Sequence, residues 1–255
     1  MEMEIDQPLQ PRTKSPGKTV LVTGGSGGIG RGLCVAFARA GHWVGVHYGR
    51  HASAAQETLD LLRAAGGAGA LYQADIRRAD EVQTMVAAIE TARGKLDILI
   101  CNAGTAGSHL VVTCPETEWQ RVVDTNLTGT FHCLQAAGAA MSAGGGGSIV
   151  LIGSYAGLQG ATGQAAYAAS KAGLIGLMKS VAREWGPHNI RVNLVCPGWQ
   201  ATPLAGDRFP AQALNTDHVL GRTSNLDEVT KMVCMLAEVS DISGQVWNLD
   251  SRVLP

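Results

Sequence analysis

"TVLVTGGSGGIGRGLCVAFARAG", residues 19–41, joins a short apolar run to a glycine-rich loop and then to a segment with helical apolar spacing. Glycines at a strand–helix junction allow a tight turn and let the backbone approach a pyrophosphate closely. They also let the helix pack on the sheet, while the helix N-terminus faces the negative charge. An ordinary glycine-rich turn is the alternative. Because the loop opens the first βα unit of the chain, the stretch predicts a nucleotide-binding junction.

The rest of the chain repeats this alternation of short apolar runs and longer helix-type segments. Near-continuous apolar runs indicate strands that are buried on both faces. Repeated βα units predict an α/β fold with a single Rossmann-type, doubly wound parallel sheet, flanked by helices on both faces, with ligands at the carboxyl ends of the strands. The strand candidates, about seven, are "KTVLVTG", "WVGVHYG", "GALYQAD", "KLDILICNAG", "GSIVLIGS", "NIRVNLVCPG" and "GQVWNLD".

Composition and charge narrow the function classes. The chain has 255 residues and is 45% hydrophobic, which is ample for a substantial core. Its 20 basic and 21 acidic residues give a net charge of -1, and no basic run is longer than a pair, so a nucleic acid partner is not expected. No apolar stretch is long enough to span a bilayer, so a membrane is not expected either.

The chain divides into a tail and one domain. Residues 1–17 are acidic, then rich in proline and lysine, and lack the apolar core of a signal peptide, so they predict a flexible tail. Residues 18–255 are expected to form a single dinucleotide-binding catalytic domain. The six cysteines are widely spaced without a C-x-x-C pair, which indicates buried free thiols and a cytoplasmic location.

A second stretch, "QAAYAASKAGL" at 164–174, carries Tyr167 and Lys171 four residues apart. On a helix these two positions lie on one face, with only small or apolar neighbours around them. An exposed polar ladder is the alternative reading of the pair. A free phenol has a pKa near ~10, and a neighbouring ammonium favours its ionised form, so Lys171 is suited to tune Tyr167 as an acid.

Five motifs occur in the order in which they stand in the short-chain dehydrogenase/reductase family, and the chain resembles that family over about residues 18–250. The segment 154–185 most resembles the 3-oxoacyl-[acyl-carrier-protein] reductase branch, which reduces a 3-oxoacyl thioester in fatty acid biosynthesis. The motifs are Thr-Gly, three residues and Gly-Ile-Gly at 23–30, "NAG" at 102–104, Ser154, "YAASK" at 167–171 and "PGWQAT" at 197–202.

The resemblance implies four catalytic residues. Tyr167 is expected to donate the proton to the carbonyl, and Ser154 is expected to orient that carbonyl. Lys171 is expected to tune Tyr167 and to hydrogen bond the nicotinamide ribose, and Asn126 is expected to hold a water that continues the proton relay. A turn-initiating serine and a buried structural amide are the alternatives for Ser154 and Asn126.

The resemblance also implies a set of residues that contact the cofactor. Asp75 matches a carboxylate that contacts the adenine, with helix capping as the alternative, and "NAG" resembles the loop that supports the cofactor. The expected cofactor-binding residues are Gly24, Ser26, Gly27, Gly28, Ile29, Gly30, Tyr48, Gly49, Arg50, Asp75, Ile76, Asn102, Ala103, Gly104, Tyr167, Lys171, Pro197, Gly198 and Thr202.

The end of the second strand indicates which dinucleotide is used. Folds that prefer NAD place an acid there, whereas NADP requires that acid to be absent and a cation nearby. Here Tyr48 stands about where the acid would fall, and Arg50 follows two residues on. This favours NADPH (NADP+), although Gly27 adds no cation at a position where many NADP-using relatives carry one.

The expected function is therefore an NADPH-dependent ketoreductase, with a small-molecule or carrier-linked acyl substrate. Two features depart from the family pattern: the segment 204–222, where a substrate lid is expected, is compact, and "NLDSRVLP" lacks the usual glycine pair. An NAD(P)-dependent secondary alcohol or steroid-type dehydrogenase is one alternative. A sugar-nucleotide epimerase is disfavoured, because it needs a separate substrate domain and a single domain is expected here. A non-catalytic dinucleotide-binding protein is a further alternative, but such a protein would have no need of the four catalytic residues together.

Two expectations concern assembly and metals. The helix-type segments 115–141 and 164–185 have extra apolar faces, and in similar proteins such helices pack between subunits, so we expect a homodimer or homotetramer. The seven histidines show no metal-binding spacing, so no metal is expected and each is interpreted as structural or superficial. They stand at 42, 47, 51, 109, 132, 188 and 218.

Overall fold

The computed structural model of the chain describes residues 17–202, 204–206 and 218–253. Within these residues one sheet contains seven parallel strands in the order β3-β2-β1-β4-β5-β6-β7. The predicted doubly wound sheet is thus confirmed. The strands are β1 (Thr19–Val22), β2 (Trp43–Tyr48), β3 (Ala68–Gln73), β4 (Ile98–Cys101), β5 (Gly147–Ile152), β6 (Ile190–Cys196) and β7 (Val246–Asn248).

Helices cover both faces of this sheet. One hydrophobic cluster joins the sheet to the first, second and last helices, and a second cluster joins it to the third, fifth and seventh. The strand order changes direction between β1 and β4, and a crevice at the carboxyl ends of such a pair is where open α/β sheets bind ligands. The helices are α1 (Gly28–Arg39), α2 (Ala52–Ala64), α3 (Ala79–Arg93), α4 (Glu116–Val123), α5 (Gly129–Ala143), α6 (Ala156–Gln159), α7 (Ala165–Trp185) and α8 (Leu226–Glu238).

The segment "ETEWQRVVDTNLTGTFHCLQAAGAAM", expected as one helical segment, is divided. A π-helical turn, Asp124–Thr128, separates α4 from α5. The hydroxyl of Thr125 donates to the carbonyl of Arg121 at 2.8 Å, and that of Thr130 donates to the carbonyl of Asn126 at 2.7 Å. Such bonds from a hydroxyl to the preceding turn compete with the regular backbone ladder and bend helices. Single π turns of this kind often occur at functional sites.

Some sequence expectations fall outside the described residues. The tail lies there except for residue 17, and so does 207–217 of the segment expected to form a lid. Within the described part of the chain, no helix combines the length and apolarity needed to cross a membrane. All six cysteines are free thiols, as predicted. Cys34, Cys101, Cys133 and Cys196 are buried, but Cys114 and Cys234 are only partly buried, so the expected burial is met at four of the six.

Candidate active site

The glycine loop runs from β1 into α1 and packs against the end of β4. Gly24 has φ +64°, and a Cβ there would lie 2.8 Å from the Cα of Ala103. Both the backbone conformation and the close approach of Ala103 therefore exclude a side chain at this position. A Cβ on Gly30 would lie 2.2 Å from the carbonyl oxygen of Gly24. No side chain among the described residues caps α1, so the N–H groups of its first turn remain available to an anion.

The loop lines a cavity, which we call the loop cavity. Gly30 does not line it, because this glycine packs beneath Gly24 instead. A glycine cradle at an uncapped helix N-terminus fits the pyrophosphate of a dinucleotide. The predicted cofactor residues that line the loop cavity are Gly24, Ser26, Gly27, Gly28, Ile29, Asn102, Ala103, Gly104 and Thr202.

His47 supports the loop from below. This buried side chain on β2 accepts a hydrogen bond at Nδ1 from the backbone N–H of Gly24, at 3.0 Å, and its Nε2 lies 2.9 Å from the carbonyl oxygen of Ala74. Burial lowers the pKa of His47. The ring is therefore neutral, with its proton on Nε2. The sequence interpretation of His47 as structural is consistent with this position, but the contact with the loop was not foreseen.

Asn102 ties the end of β4 to the start of the loop. Its Nδ2 donates to the carbonyl oxygens of Thr23 and Gly24, at 3.0 and 3.1 Å. The Thr23 hydroxyl in turn accepts from the backbone N–H groups of Asn102 and Ala103. The motif "NAG" thus holds the two strand ends together at the crevice, and its side chains and backbone form part of the cavity wall.

A second cavity, which we call the inner cavity, brings the predicted catalytic groups together. Ser154, Tyr167 and Lys171 all line it. Ser154 follows β5, and its hydroxyl accepts from the backbone N–H of Ala156 at 3.2 Å. Ile29, Asn102, Gly104 and Thr202 line both this cavity and the loop cavity, so the two are adjoining parts of one cleft. Pro197 and Gly198 also line the inner cavity.

Lys171 is buried one helical turn after Tyr167. Its Nζ donates to the carbonyl oxygen of Ile152 at 2.7 Å and lies 5.8 Å from the centroid of the Tyr167 ring. Burial lowers the pKa of Lys171 from 10.5 to about 8, although the neighbouring thiols of Cys196 and Cys101 raise it. A desolvated ammonium is thus held beside the phenol, as the spacing in the sequence predicts.

Asn126 lies in the π turn and is fully buried, but it does not line the inner cavity. Its Oδ1 accepts from the N–H of Thr105 at 2.8 Å, and its Nδ2 donates to the carbonyl of Thr105 and to the hydroxyl of Ser170. A Cβ on Gly104 would lie 3.2 Å from Asn126 Oδ1 and 3.7 Å from Lys171 Nζ, so both side chains approach this glycine. The side-chain amide is therefore used to hold the loop after β4.

A third cavity, which we call the outer cavity, continues the cleft past the ends of β2 and β3. Four of the residues expected to contact the cofactor line it: Gly49, Arg50, Asp75 and Ile76. Arg50 is exposed and forms no hydrogen bond or ion pair with any other residue in the described part of the chain. His51 and Arg77 also line this cavity, and the sequence interpretation did not include them.

Two residues of this region differ from the simple expectation. Tyr48 does not line the outer cavity, because its ring packs against the hydrophobic cluster that contains Val46 and Leu59. Asp75 lines the cavity, but its carboxylate is paired with Arg77, whose Nε donates to it at 2.9 Å. This side-chain hydrogen bond from Arg77 holds the pKa of Asp75 at about 2. At neutral pH Asp75 is thus ionised and paired with Arg77 in the wall of the outer cavity.

The inner cavity has further walls that sequence reasoning missed. Tyr155 and Gln164 flank the catalytic residues, Trp199 stands within the "PGWQAT" motif, and Arg252 comes from the segment after β7. Trp199 lies within "PGWQAT", Gln164 begins "QAAYAASKAGL" and Tyr155 directly follows Ser154, so all three were detectable as neighbours of predicted residues. Arg252 had only one signal, the departure of "NLDSRVLP" from the family pattern.

Comparisons with known proteins agree with this architecture. A family profile described as short chain dehydrogenase matches residues 18–213, a range that contains every predicted cofactor and catalytic residue. The chain is 37% identical over 238 residues to 3-oxoacyl-[acyl-carrier-protein] reductase FabG of Staphylococcus aureus, covering 91% of this chain and 96% of that protein. It is 35% identical over 240 residues to 3-oxoacyl-[acyl-carrier-protein] reductase of Synechocystis, covering 93% and 97%. A short-chain type dehydrogenase/reductase structure from Mycobacterium marinum has a TM-score of 0.87 and 35% identity, covering 92% of this chain and 94% of that one.

Proposed function

The chain belongs to the short-chain dehydrogenase family, and on that premise we propose that it is an NADPH-dependent ketoreductase. The proposed substrate is a 3-oxoacyl thioester, which is reduced to the 3-hydroxy product. The observation that carries the proposal is the presence of Ser154, Tyr167 and Lys171 in one cavity that adjoins the glycine loop. The similarity to reductases named for 3-oxoacyl substrates supports the substrate class.

The protein residues have separate proposed tasks. The nicotinamide cofactor, when bound, supplies the hydride. Tyr167 donates a proton to the carbonyl oxygen, and the Ser154 hydroxyl donates a hydrogen bond that holds the same oxygen in place. Lys171, whose Nζ is 5.8 Å from the Tyr167 ring centroid, stabilises the phenolate that the proton transfer leaves.

Asn126 acts on this group from behind the cavity wall. Its side chain fixes Thr105 and Ser170, and Ser170 directly precedes Lys171 on α7. The side chains of Asn126 and Lys171 both approach Gly104, since a Cβ there would lie 3.2 Å from Asn126 Oδ1 and 3.7 Å from Lys171 Nζ. We assign Asn126 to the proton relay that runs from Lys171, with its side chain holding the surrounding loop in position.

The choice of NADPH rests on the charges of the outer cavity. No acidic residue occurs at the end of β2, and Arg50, His51 and Arg77 line the cavity there. The single carboxylate among these lining residues, Asp75, is already neutralised by Arg77. An additional phosphate on the adenosine ribose therefore meets an excess of positive charge, supplied by Arg50 and free of repulsion from an acid.

The partners follow from the same proposal. The acyl chain is presented by a carrier protein or by coenzyme A, and the protein is a cytoplasmic homodimer or homotetramer. Trp119 on α4 and Phe131 on α5 support the assembly, since 40% and 44% of these large side chains are exposed on neighbouring helices. Large exposed aromatic groups of this kind are typical of protein–protein interfaces.

A substrate panel tests the proposal. The purified protein is mixed with NADPH or NADH and with 3-oxobutanoyl thioesters of acyl carrier protein, coenzyme A and N-acetylcysteamine, and loss of reduced-nicotinamide absorbance is followed. We expect thioester reduction with a clear preference for NADPH. A parallel assay with NAD+ and secondary or steroid alcohols follows the gain of this absorbance, and alcohol oxidation without any thioester reduction would instead establish an alcohol dehydrogenase. Cofactor binding without turnover on any substrate would establish a non-catalytic protein.

A further inference from the structure

Arg252 lines the inner cavity together with Ser154 and Tyr167, although it lies far from both in the sequence. It belongs to the short segment that follows β7. The proposed chemistry uses Ser154, Tyr167 and Lys171, and it leaves this arginine without a task. A guanidinium in the wall of a reaction cavity carries several donors that a substrate can use.

The Arg252 side chain is held in one position. Its Nε donates to Asp250 Oδ2 at 2.8 Å, its Nη2 contacts the same oxygen, and its backbone N–H donates to Asp250 Oδ1 at 2.9 Å. The carboxylate of Asp250 is completely buried, and 11% of the Arg252 side chain is exposed. A planar guanidinium fixed in this way is preorganised to donate from its remaining edge.

Tyr155 connects this arginine to the catalytic serine. The Arg252 Cζ lies 3.9 Å from the centroid of the Tyr155 ring, and the Tyr155 hydroxyl donates to the carbonyl of Val253 at 3.0 Å. Tyr155 directly follows Ser154 in the chain. The guanidinium is therefore stacked on the residue next to the group proposed to hold the reacting carbonyl.

The charge of this arrangement determines what it can bind. Asp250 matches the charge of Arg252, so a second carboxylate at the guanidinium would meet repulsion from Asp250. Nη1 forms no hydrogen bond within residues 17–202, 204–206 and 218–253. A neutral acceptor, such as a carbonyl oxygen, fits a donor whose charge is already balanced.

We propose that Arg252 is a specificity-determining residue that donates a hydrogen bond to the second carbonyl oxygen of a 3-oxoacyl substrate. This inference rests on the proposed function, because it names the part of that substrate class which the cavity recognises. In a 3-oxoacyl thioester one methylene group separates the thioester carbonyl from the reacting ketone. A donor that lines the same cavity as Ser154 therefore distinguishes these substrates from ketones that have a single carbonyl.

The test compares two substrates across variants of Arg252. The substrates are the N-acetylcysteamine thioester of 3-oxobutanoate and a 2-alkanone of similar length. We expect Arg252→Met to lower kcat/KM for the thioester about tenfold to a hundredfold, the effect of losing a charged donor, and to change kcat/KM for the 2-alkanone by less than about threefold. Arg63→Met, an exposed substitution on α2 outside the cavity, is the matched control and should change neither value.

The Arg252→Lys variant covers the case in which Arg252→Met fails to fold. The methionine variant leaves Asp250 buried without its partner, whereas lysine retains a cation there but lacks the planar fork. Melting temperatures of both variants are recorded, and Asp250→Asn combined with Arg252→Met removes both charges if either single variant unfolds. Each folded variant is expected to lose selectivity for the thioester.

The outcomes separate this inference from the proposed function. Equal losses on both substrates would make Arg252 a structural residue and overturn the inference alone. Free 3-oxobutanoate is assayed as an additional substrate, and a larger loss with it than with its thioester would show that the arginine binds a carboxylate and would also overturn the inference. A wild-type enzyme that reduces the 2-alkanone but no thioester would overturn the proposed function together with the inference.

Discussion

The imidazole of His47 accepts a hydrogen bond from the backbone N–H of Gly24, and the 3.0 Å contact places a titratable side chain directly beneath the glycine loop. The acceptor exists only while the ring is neutral. A protonated ring would carry a hydrogen on both nitrogens. Its Nδ1–H would then face the N–H of Gly24, donor against donor, and the hydrogen bond that supports the loop would be lost. The Asp75 carboxylate nearby raises the pKa of His47, but burial is the larger effect and lowers it.

We predict that this contact makes loop stability depend on pH. Because the folded pKa of His47 is below its usual 6.5, the unfolded chain binds more protons as the pH falls below 6.5. The stability is therefore complete above 6.5 and decreases towards the folded pKa, by at most about 1.4 kcal/mol per pH unit. His47→Gln supplies a non-titrating acceptor and donor. Urea unfolding of both proteins from pH 7.5 to 5 should give diverging profiles, and parallel profiles would contradict the prediction.

Lys171 should reduce the stability of the folded protein. Burial lowers its pKa to about 8, so the ammonium costs the folded state about 3 kcal/mol at pH 7, while its charge-assisted bond to Ile152 returns about 1.5–3 kcal/mol. Lys171→Met should therefore raise Tm at pH 7, by up to about 6 °C, while abolishing turnover. The cost disappears as the wild-type lysine loses its proton, so the advantage should shrink from pH 8 to 10.5. Calorimetry of the wild type and of the variant between pH 7 and pH 10.5 measures the difference in Tm. A variant with a lower Tm than the wild type at pH 7 would contradict the prediction.

Arg50 should discriminate between the two dinucleotides. Its charge-assisted bonds to a ribose phosphate contribute roughly 1.5–3 kcal/mol, about one to two decades in affinity. Arg50→Ala should weaken NADPH binding by that factor and leave NADH binding within about twofold. Titration of intrinsic fluorescence gives both dissociation constants, with Arg63→Ala on α2 as the control. A wild type that prefers NADH, or an unchanged ratio in the variant, would remove the assignment to NADPH.

The exposed aromatic groups on α4 and α5 predict how the chain assembles. Light scattering at micromolar concentration should report a dimer or a tetramer, and Phe131→Glu should shift the population towards the monomer. Leu61→Glu on α2 is the matched control, because this leucine is 48% exposed but lies outside the two proposed interface helices. A monomeric wild type would contradict the assembly, and equal effects of the two substitutions would contradict its location.

The sequence predicted those features that depend on local periodicity and on motif order. The seven strands, the glycine loop and the meeting of Ser154 with Tyr167 and Lys171 in one cavity all follow from residues close together or at successive strand ends. Tyr48 was placed at the right strand end, but the alternation of a strand does not say whether its ring turns to the cavity or to the core.

Other features depend on contacts that only the folded chain forms. The His47–Gly24 bond joins the ends of the adjacent strands β1 and β2, and the π turn at Asn126 is accompanied by hydroxyl bonds to the preceding turn. Arg252 reaches the cavity through Asp250 and Tyr155. No spacing within the sequence encodes such long-range positions, so these residues could not be assigned before the fold was known.

Tyr167→Phe gives the most direct test of the ketoreductase account. The substitution removes the proposed proton donor and keeps the aromatic packing, and general acid catalysis typically contributes about a hundredfold to ten-thousandfold. Tyr72→Phe on β3 is the control for loss of a hydroxyl elsewhere. The measurement is kcat/KM for the 3-oxobutanoyl thioester with NADPH, beside the NADPH dissociation constant. The account predicts a fall of at least about a hundredfold with cofactor binding within about threefold, whereas turnover like that of the wild type would contradict it.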